Sequence, residues 1–262
     1  MPDASHISLL SPEGLGSITL EEMDSVKLLN RIDTKYLTDA ATLALILEDA
    51  AAAGYMALVT QGSKMASYDS VYFDTPELRM FLDHRNKRLV RQKVRTREYV
   101  ASGDVFLEVK RKNNHGRTKK KRTRVPREAF GDFRGFPSAC EYLESHSAYT
   151  AAELSPSLET IFNRITLVNP ARTERITLDS SLRFVNRRNG REASLPDAVV
   201  IELKQDGRAS STMKRILLDR RVKPFRISKY CIGITLTDPS ARPGRFKEKV
   251  RLIEKQIKAK LI

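Results

Sequence analysis

The chain has 262 residues, 40% of them hydrophobic and 30% charged, and its 47 Lys and Arg against 32 Asp and Glu give a formal charge of +15. That balance, without a low-complexity tract, excludes a disordered chain, and the length suffices for one large domain with a sizeable core. The Ala-rich run from Asp39 to Val59 is broken by Glu48, Asp49 and Gly54 and cannot supply the ~20-residue apolar span of a membrane helix. The opening Met1-Pro2-Asp3-Ala4-Ser5-His6 lacks the basic and apolar regions of a signal peptide. Cys140 and Cys231, each in an apolar setting, read as buried thiols of a reducing compartment, so a cytoplasmic location is expected.

In chain order, a helix is expected over Leu20 to Leu29. The segment Arg31-Ile32-Asp33-Thr34-Lys35-Tyr36 follows with Arg31, Asp33 and Lys35 on one parity. A second helix spans Ala40 to Ala53, and Tyr68 to Asp74 reads as a strand stopped by Pro76. From Leu89 to Arg97 the charges fall at Arg91, Lys93, Arg95 and Arg97 while Val90, Gln92, Val94 and Thr96 alternate with them, which is a strand with one wholly cationic face. Val105 to Lys112 alternates in the same way, with Val105, Leu107 and Val109 on one side and Glu108, Lys110 and Lys112 on the other. Asn113-Asn114-His115-Gly116 then reads as a turn before the basic run Lys119-Lys120-Lys121-Arg122. Further charged strands are expected at Arg175 to Asp179, at Val199 to Lys204 (Glu202 and Lys204 on the charged face) and at Phe225 to Tyr230, which brings Arg226 and Lys229. Short helices at Glu141 to His146 and Ser210 to Arg221 precede a C-terminal one at about 246–262, where Val250, Ile253, Ile257 and Leu261 form an apolar stripe. No linker or repeat divides the chain, so a single domain over 1–262 is expected, with its core at about 31–236.

The charge is concentrated. Between Arg85 and Arg127, 17 Lys and Arg face three acids, Glu98, Asp104 and Glu108, and the rest of the chain is close to neutral. Such a field calls for a polyanionic partner. A sheet with one apolar and one cationic face can leave the cations in water, or it can close on itself around them as a cationic tunnel with helices covering the apolar side. The second arrangement gives an α+β antiparallel barrel. Glu202, with Glu108 and Asp33 as further candidates, can hold a divalent ion or pair with neighbouring cations; for Asp33 and Glu108 the pairing that orients Lys35 and Lys110 is expected. Asp74 and Asp179 are expected to cap turns or pair with Arg.

Missing motifs narrow the chemistry. The sequence has no GxxxxGK[ST] loop, no GxGxxG after a strand, no HExxH and no CxxC, and its four histidines are scattered. Carboxylate plus Arg/Lys chemistry remains, which suffices for phosphoryl transfer, where positioning and charge stabilisation supply most of the catalysis.

Taken in order, Arg31-x-Asp33-x-Lys35-Tyr36, Tyr72-Phe73-Asp74, Arg91-x-Lys93-x-Arg95-x-Arg97-x-Tyr99, Phe106-Leu107-Glu108-Val109-Lys110, Lys119-Lys120-x-Arg122, Phe162-Asn163-Arg164, Arg175-Ile176-Thr177-Leu178-Asp179, Glu202-Leu203-Lys204 and Ser228-Lys229-Tyr230-x-x-Gly233 resemble the VTC domain. This is the polyphosphate polymerase domain of the vacuolar transporter chaperone complex, in its stand-alone bacterial form, within the triphosphate tunnel metalloenzyme superfamily. The resemblance implies a tunnel in which basic side chains grip a triphosphate and a glutamate binds Mn²⁺ or Mg²⁺. It also implies transfer of the ATP γ-phosphate to a growing polyphosphate chain, and the expected partners are ATP or another triphosphate with polyphosphate or pyrophosphate. Carried over, Lys35, Arg95, Arg97, Lys110, one of Lys119 and Lys120, Arg164, Arg175, Arg226 and Lys229 are phosphate ligands, and Glu202 is the metal ligand. Arg164 enters through the resemblance alone. Arg91, Lys93, Arg122 and Lys204 join them from the strand pattern, and Lys35, Arg95, Arg97 and Lys229 are the residues expected to act on the transferred group. One departure is informative: the superfamily's hydrolases and cyclase carry ExExK on the first strand, where this chain has Arg31, Asp33 and Lys35, which argues against two-metal triphosphatase chemistry. A catalytically silent polyanion-binding module and a triphosphatase are the alternatives. Nucleic acid ranks last as a partner, because Tyr99 and Phe106 are the aromatics within the basic stretch and the chain has no Trp for base stacking.

Overall fold

The computed structural model describes residues 12–24, 31–207 and 210–261. Its strands are β1 (Gly16–Ile18), β2 (Arg31–Asp39), β3 (Met56–Leu58), β4 (Met65–Asp74), β5 (Arg91–Tyr99), β6 (Asp104–Lys112), β7 (Thr118–Val125), β8 (Ser155–Val168), β9 (Glu174–Asn186), β10 (Glu192–Leu195) and β11 (Ala198–Asp206). The helices are α1 (Leu20–Asp24), α2 (Ala40–Ala52), α3 (Arg79–Arg85), α4 (Pro137–His146), α5 (Thr212–Asp219), α6 (Lys229–Thr237) and α7 (Arg245–Ile257). One antiparallel sheet runs β2-β11-β9-β8-β4-β5-β6-β7, with β10 added beside β9 and β3 beside β8. Among the described residues no helix is long and apolar enough to cross a membrane.

The alternation read from the sequence sets the two faces. On β5, Gln92, Val94 and Thr96 are buried on the convex side against β6 residues Val105, Leu107 and Val109, and Phe133, Ala139 and Leu143 cover them. α2 and α5 cover the convex side of β2, β11 and β9, where Leu43, Ile46 and Leu47 meet Val199, Ile201, Leu203, Ile176 and Leu178. The concave side carries the charges. Register shifts on β4 and β8, with Ser181 in the left-handed region at φ 53°, bend the long central strands so that the sheet curls. Although β2 and β7 are not hydrogen-bonded neighbours, the curl brings Lys110 on β6 within electrostatic reach of Lys35 on β2 and Glu202 on β11.

Two helices sit inside the curl. α6 lies on the concave face with Tyr230, Ile232 and Ile234 against Leu158, Phe184 and Val200, and α7 backs it with Phe246, Val250 and Ile253. Gly233 permits this close approach: a Cβ there would lie 2.4 Å from Leu158 Cδ2 and 2.7 Å from Phe184 Cδ1. Asp74, fully buried, accepts from the Met80 and Phe81 amides at the start of α3 and from the Tyr230 hydroxyl at 2.5 Å, tying β4 to α6.

Several expectations change. Phe225 to Tyr230 is not a strand: after a single bridge from Pro224 to Tyr36 the chain turns into α6 at Lys229, capped by Ser228. Phe225 and Ile227 alternate with Arg226 and Ser228 as in a strand, but Lys229 breaks that parity, and apolar residues from Tyr230 to Ile234 on both parities suit a buried helix. The first helix spans Leu20–Asp24, and the remainder of its expected range lies outside the described residues. Cys231 is buried as expected, whereas Cys140 is partly exposed on α4, and both are free thiols.

Candidate functional site

The concave face gathers Lys35 from β2, Glu202 and Lys204 from β11, Arg175 and Asp179 from β9, Arg164 from β8, Lys93, Arg95 and Arg97 from β5, Glu108 and Lys110 from β6, and Lys120 and Arg122 from β7. The ladder register puts them all on one side. Lys229 reaches the same surface from the first turn of α6.

Three carboxylates organise this surface, and each is clasped by two cations. Glu202 takes Lys35 at 2.9 Å and Lys204 on its other oxygen. Asp179 receives a two-pronged bond from Arg164 at 2.6 and 2.8 Å and the Lys229 ammonium at 2.6 Å. Glu108 accepts from Arg95 Nε at 2.8 Å and Nη2 at 2.6 Å, with Lys120 at 2.5 Å from its other oxygen. Burial would push each of these carboxyls up, yet the paired cations hold all three well below the usual range, so they are anions at neutral pH. Glu108 therefore orients Arg95 and Lys120 and not the expected Lys110. Asp33 sits opposite Lys204 across the β2–β11 ladder and acts on its charge.

Other cations on the face lack such a partner. Among the described residues, no carboxylate pairs with Lys93, Arg97, Lys110 or Arg175. Arg97 is the extreme case: 6% exposed, its Nε donates to Ser70 Oγ at 3.0 Å, and its guanidinium lies over the rings of Tyr68 and Phe162. Burial and the neighbouring Arg95 and Arg164 push it down to about 10 against the pull of Glu108, with which it forms no ion pair, and it is still charged at neutral pH. Lys93 donates to Ser228 Oγ at 2.8 Å, the side chain that also caps α6. Lys110 is exposed, with protein close around it. Surrounding protein, with Lys93, Lys35 and Arg95, pushes it down to about 8 against the pull of Glu202. For Lys120, burial outweighs Glu108 and also lowers it to about 8.

The remaining expected ligands lie at the margins. Arg122 is exposed at one mouth, stacked 4.8 Å above Phe106, and Arg91 at the other end donates to the Arg88 carbonyl. Lys119 pairs with Arg111 on the opposite parity and points to the convex side, which leaves Lys120 as the one of the pair on the concave face. Arg226 is exposed in the loop before α6. Sequence reasoning assigned no role to Ser228 or Tyr72; the parity of β4, which sets Tyr72 opposite Arg95, was the available signal for the latter.

A divalent cation fits this site only as a substrate-borne ion. Among the described residues no three His, Cys, Asp or Glu side chains converge as a metal cage. Of the three clasped carboxylates Glu202 is the most open, its side chain 19% exposed against 6% for Asp179 and 3% for Glu108, and one carboxylate plus phosphate oxygens is a normal Mg²⁺ or Mn²⁺ ligand set. Glu108, with its side chain 3% exposed and both oxygens engaged, has no open face for an ion.

Residues 30–237 match the VTC domain family. No curated protein matches the chain. Among solved structures, a putative adenylyl cyclase from Hippeastrum, described as revealing a dominant triphosphatase activity, is similar at a TM-score of 0.50 and 13% identity, covering 78% of this chain and 95% of its own. A putative adenylate cyclase from Bacillus halodurans gives 0.47 and 13% over 76% of this chain and 96% of its own. The PH1819 protein from Pyrococcus horikoshii gives 0.42 and 15% over 78% and 98%. The Hippeastrum likeness shows a shared fold.

Proposed function

The chain belongs to the VTC domain family, and from that premise we propose that it is a polyphosphate polymerase-like phosphotransferase, moving the γ-phosphate of ATP onto a polyphosphate or pyrophosphate end within the cationic curl. One observation carries the reading: a buried arginine, Arg97, held among like charges with no carboxylate partner among the described residues. An arginine cannot shed its proton to escape such a place, so the site is completed by an anion from outside. Arg97, Lys93 and Lys110 line a continuous stripe on neighbouring strands, which suits a chain of phosphates better than a single one.

Arg97 and Lys93 grip the non-bridging oxygens of the donor. Lys35, Arg95 and Lys229 start the cycle engaged by Glu202, Glu108 and Asp179, so their charges are aimed before substrate arrives. A terminal oxygen of the acceptor chain attacks the γ-phosphorus in line, the bond to the β–γ bridging oxygen breaks, and ADP leaves with that oxygen's charge. No protein nucleophile is needed, and the basic side chains neutralise the charge of the transferred group. A Mn²⁺ or Mg²⁺ ion held by Glu202 would neutralise charge on the donor's phosphates.

Incubation of the purified protein with γ-labelled ATP and Mn²⁺, with and without pyrophosphate, tests this. Long acid-labile chains with matching ADP are expected, and free phosphate alone would make the protein a triphosphatase instead. A second reading, a silent polyphosphate-binding module, is favoured by the engagement of both Glu202 oxygens by lysines. It would appear as tight, salt-sensitive tripolyphosphate binding with no turnover.

A further inference from the structure

Two buried tyrosine hydroxyls have a carboxylate acceptor. Tyr230 donates to Asp74 at 2.5 Å, and Tyr55 donates to Glu174 at 3.3 Å. Tyr72 does not follow suit. Its side chain is on the concave face of β4, 7% exposed, stacked on Tyr230 with ring centroids 5.0 Å apart. Its oxygen accepts from Arg95 Nη1 at 2.8 Å, and among the described residues no oxygen accepts the phenol's own proton.

The charges around it are lopsided. From β5, Lys93, Arg95 and Arg97 all act on the hydroxyl. From β8, the apolar Leu158 stands opposite it, and from α6 it meets the neutral Tyr230, with Cys231 next in sequence. The carboxylates nearby are already engaged: Glu108 of β6 by Arg95 and Lys120, and Asp74 of the same strand by Tyr230 and backbone amides.

We propose that Tyr72 contacts the phosphate chain directly, its hydroxyl donating to a phosphate oxygen where the protein offers it no acceptor among the described residues, and that above neutral pH it takes up a proton as the chain binds. The inference rests on the phosphate-chain reading above. Burial alone would push this phenol up, but Arg95, Lys93 and Arg97 together outweigh it and bring it down to about 8, against an ordinary value near ~10. A phosphate chain arriving at the same cations competes with the phenolate for them. Their attraction is then shared, the oxygen regains its proton from solvent, and that proton is donated to a phosphate oxygen. Tyr72 thus binds as an acid while Arg95, beside it, stays a cation.

The chain has eight Tyr and no Trp, so tyrosinate absorbance near 295 nm is readable without background from indole. Burial pushes Tyr55, Tyr68 and Tyr230 upward, so they do not ionise in the same range. In a pH titration of the metal-free wild type, one tyrosinate is expected with a midpoint near 8, ahead of the others. At pH about 8.5, saturating tripolyphosphate is expected to abolish that one-tyrosine signal. Tyr72→Phe is expected to lack the early step and to bind tripolyphosphate roughly tenfold more weakly, the scale of one hydrogen bond to a charged group. The absence of an early tyrosinate, its persistence in Tyr72→Phe, or binding by calorimetry with unchanged absorbance would each overturn the role of Tyr72. Calorimetry showing no tripolyphosphate binding at all overturns the phosphate-chain reading itself. The pH titration and the tripolyphosphate quench need only the wild type, so a poorly folding variant does not decide the matter.

Discussion

The two faces of the strands β4, β5 and β8 crowd like charges and resolve the crowding in opposite ways. On the convex side, Asp69 of β4 lies beside Glu159 of β8 and Glu98 of β5, and burial plus the hydrogen bond and charge of Glu159 push Asp69 up to about 8. That face relieves itself by keeping a proton, and Arg187 and Arg127 neutralise the other two acids. On the concave side, Arg97, Lys93 and Lys110 crowd together, and an arginine has no such escape. An acidic cluster inside a fold can be finished by a proton, whereas a guanidinium cluster has to be finished by an anion. The difference separates a structural charge cluster from a binding surface.

The comparison breaks first at Arg97. Arg97→Ala is expected to reduce turnover by about a hundredfold or more, the scale of losing one preorganised charge donor. It should leave the melting temperature unchanged or raised, because an unpaired buried charge has been removed. A large drop in melting temperature with activity retained would make Arg97 a structural cation after all. As a packing control that changes no charge, Gly233→Ala drives a methyl group into Leu158 and Phe184 and is expected to destabilise the fold by ~1–3 kcal/mol in denaturant titration.

A smaller effect separates the clasped cations from the unpartnered ones. Glu202→Gln releases Lys35 and Lys204, so metal-free tripolyphosphate binding is expected to tighten several-fold while stimulation by Mn²⁺ falls. Unchanged metal stimulation would confine Glu202 to its ion pairs. The pH response sharpens the same contrast. Lys110 and Lys120 lose their protons near pH 8 in the free protein, so tripolyphosphate affinity should fall as pH rises from about 8 to 9. Up to ~tenfold per pH unit is expected for each proton coupled to binding. Replacing both by Arg should make the profile shallower in calorimetry, leaving the part that Tyr72 contributes.

The smallest effect lies on the convex face. Asp69 holds its proton more tightly when folded than when unfolded, so it favours the folded state most at about pH 4 and loses that contribution progressively as pH rises to about 8. Asp69→Asn has nothing to lose in that window. The melting temperatures of wild type and variant are expected to diverge by a few degrees in favour of the variant across it, and parallel curves would remove the proton-sharing account of that face.

Much of this was legible in the sequence because strands of period two carry their chemistry on one parity. β5 displays Arg91, Lys93, Arg95 and Arg97 at alternate positions, and the same positions form the concave stripe. The turn at Asn113 to Gly116 likewise closes the β6–β7 hairpin. α6 was not legible from pattern: just before it Phe225 to Ser228 alternates like a strand, and what makes the following segment a helix is burial from β8 and β9, to which Gly233 is fitted. Nor could spacing choose between Lys119 and Lys120, since only the register with β6 decides which one faces inward. Arg164 sits in a 14-residue strand whose local pattern is disguised by the register shift at Ile161 and Asn163, so the family resemblance reached it where periodicity did not. The double clasping of Glu202, Asp179 and Glu108 joins residues distant in sequence, such as Lys35 to Glu202 and Arg164 to Asp179, and becomes visible only when the sheet curls.

The central claim is that the concave cations are completed by a phosphate chain. Titration calorimetry of metal-free wild type and Arg97→Ala with tripolyphosphate, against orthophosphate at equal ionic strength, tests it directly. The account requires tripolyphosphate to bind the wild type far more tightly than orthophosphate does, and Arg97→Ala to lose most of that preference. Equal, weak binding of both anions, or a preference untouched by the loss of Arg97, would contradict it.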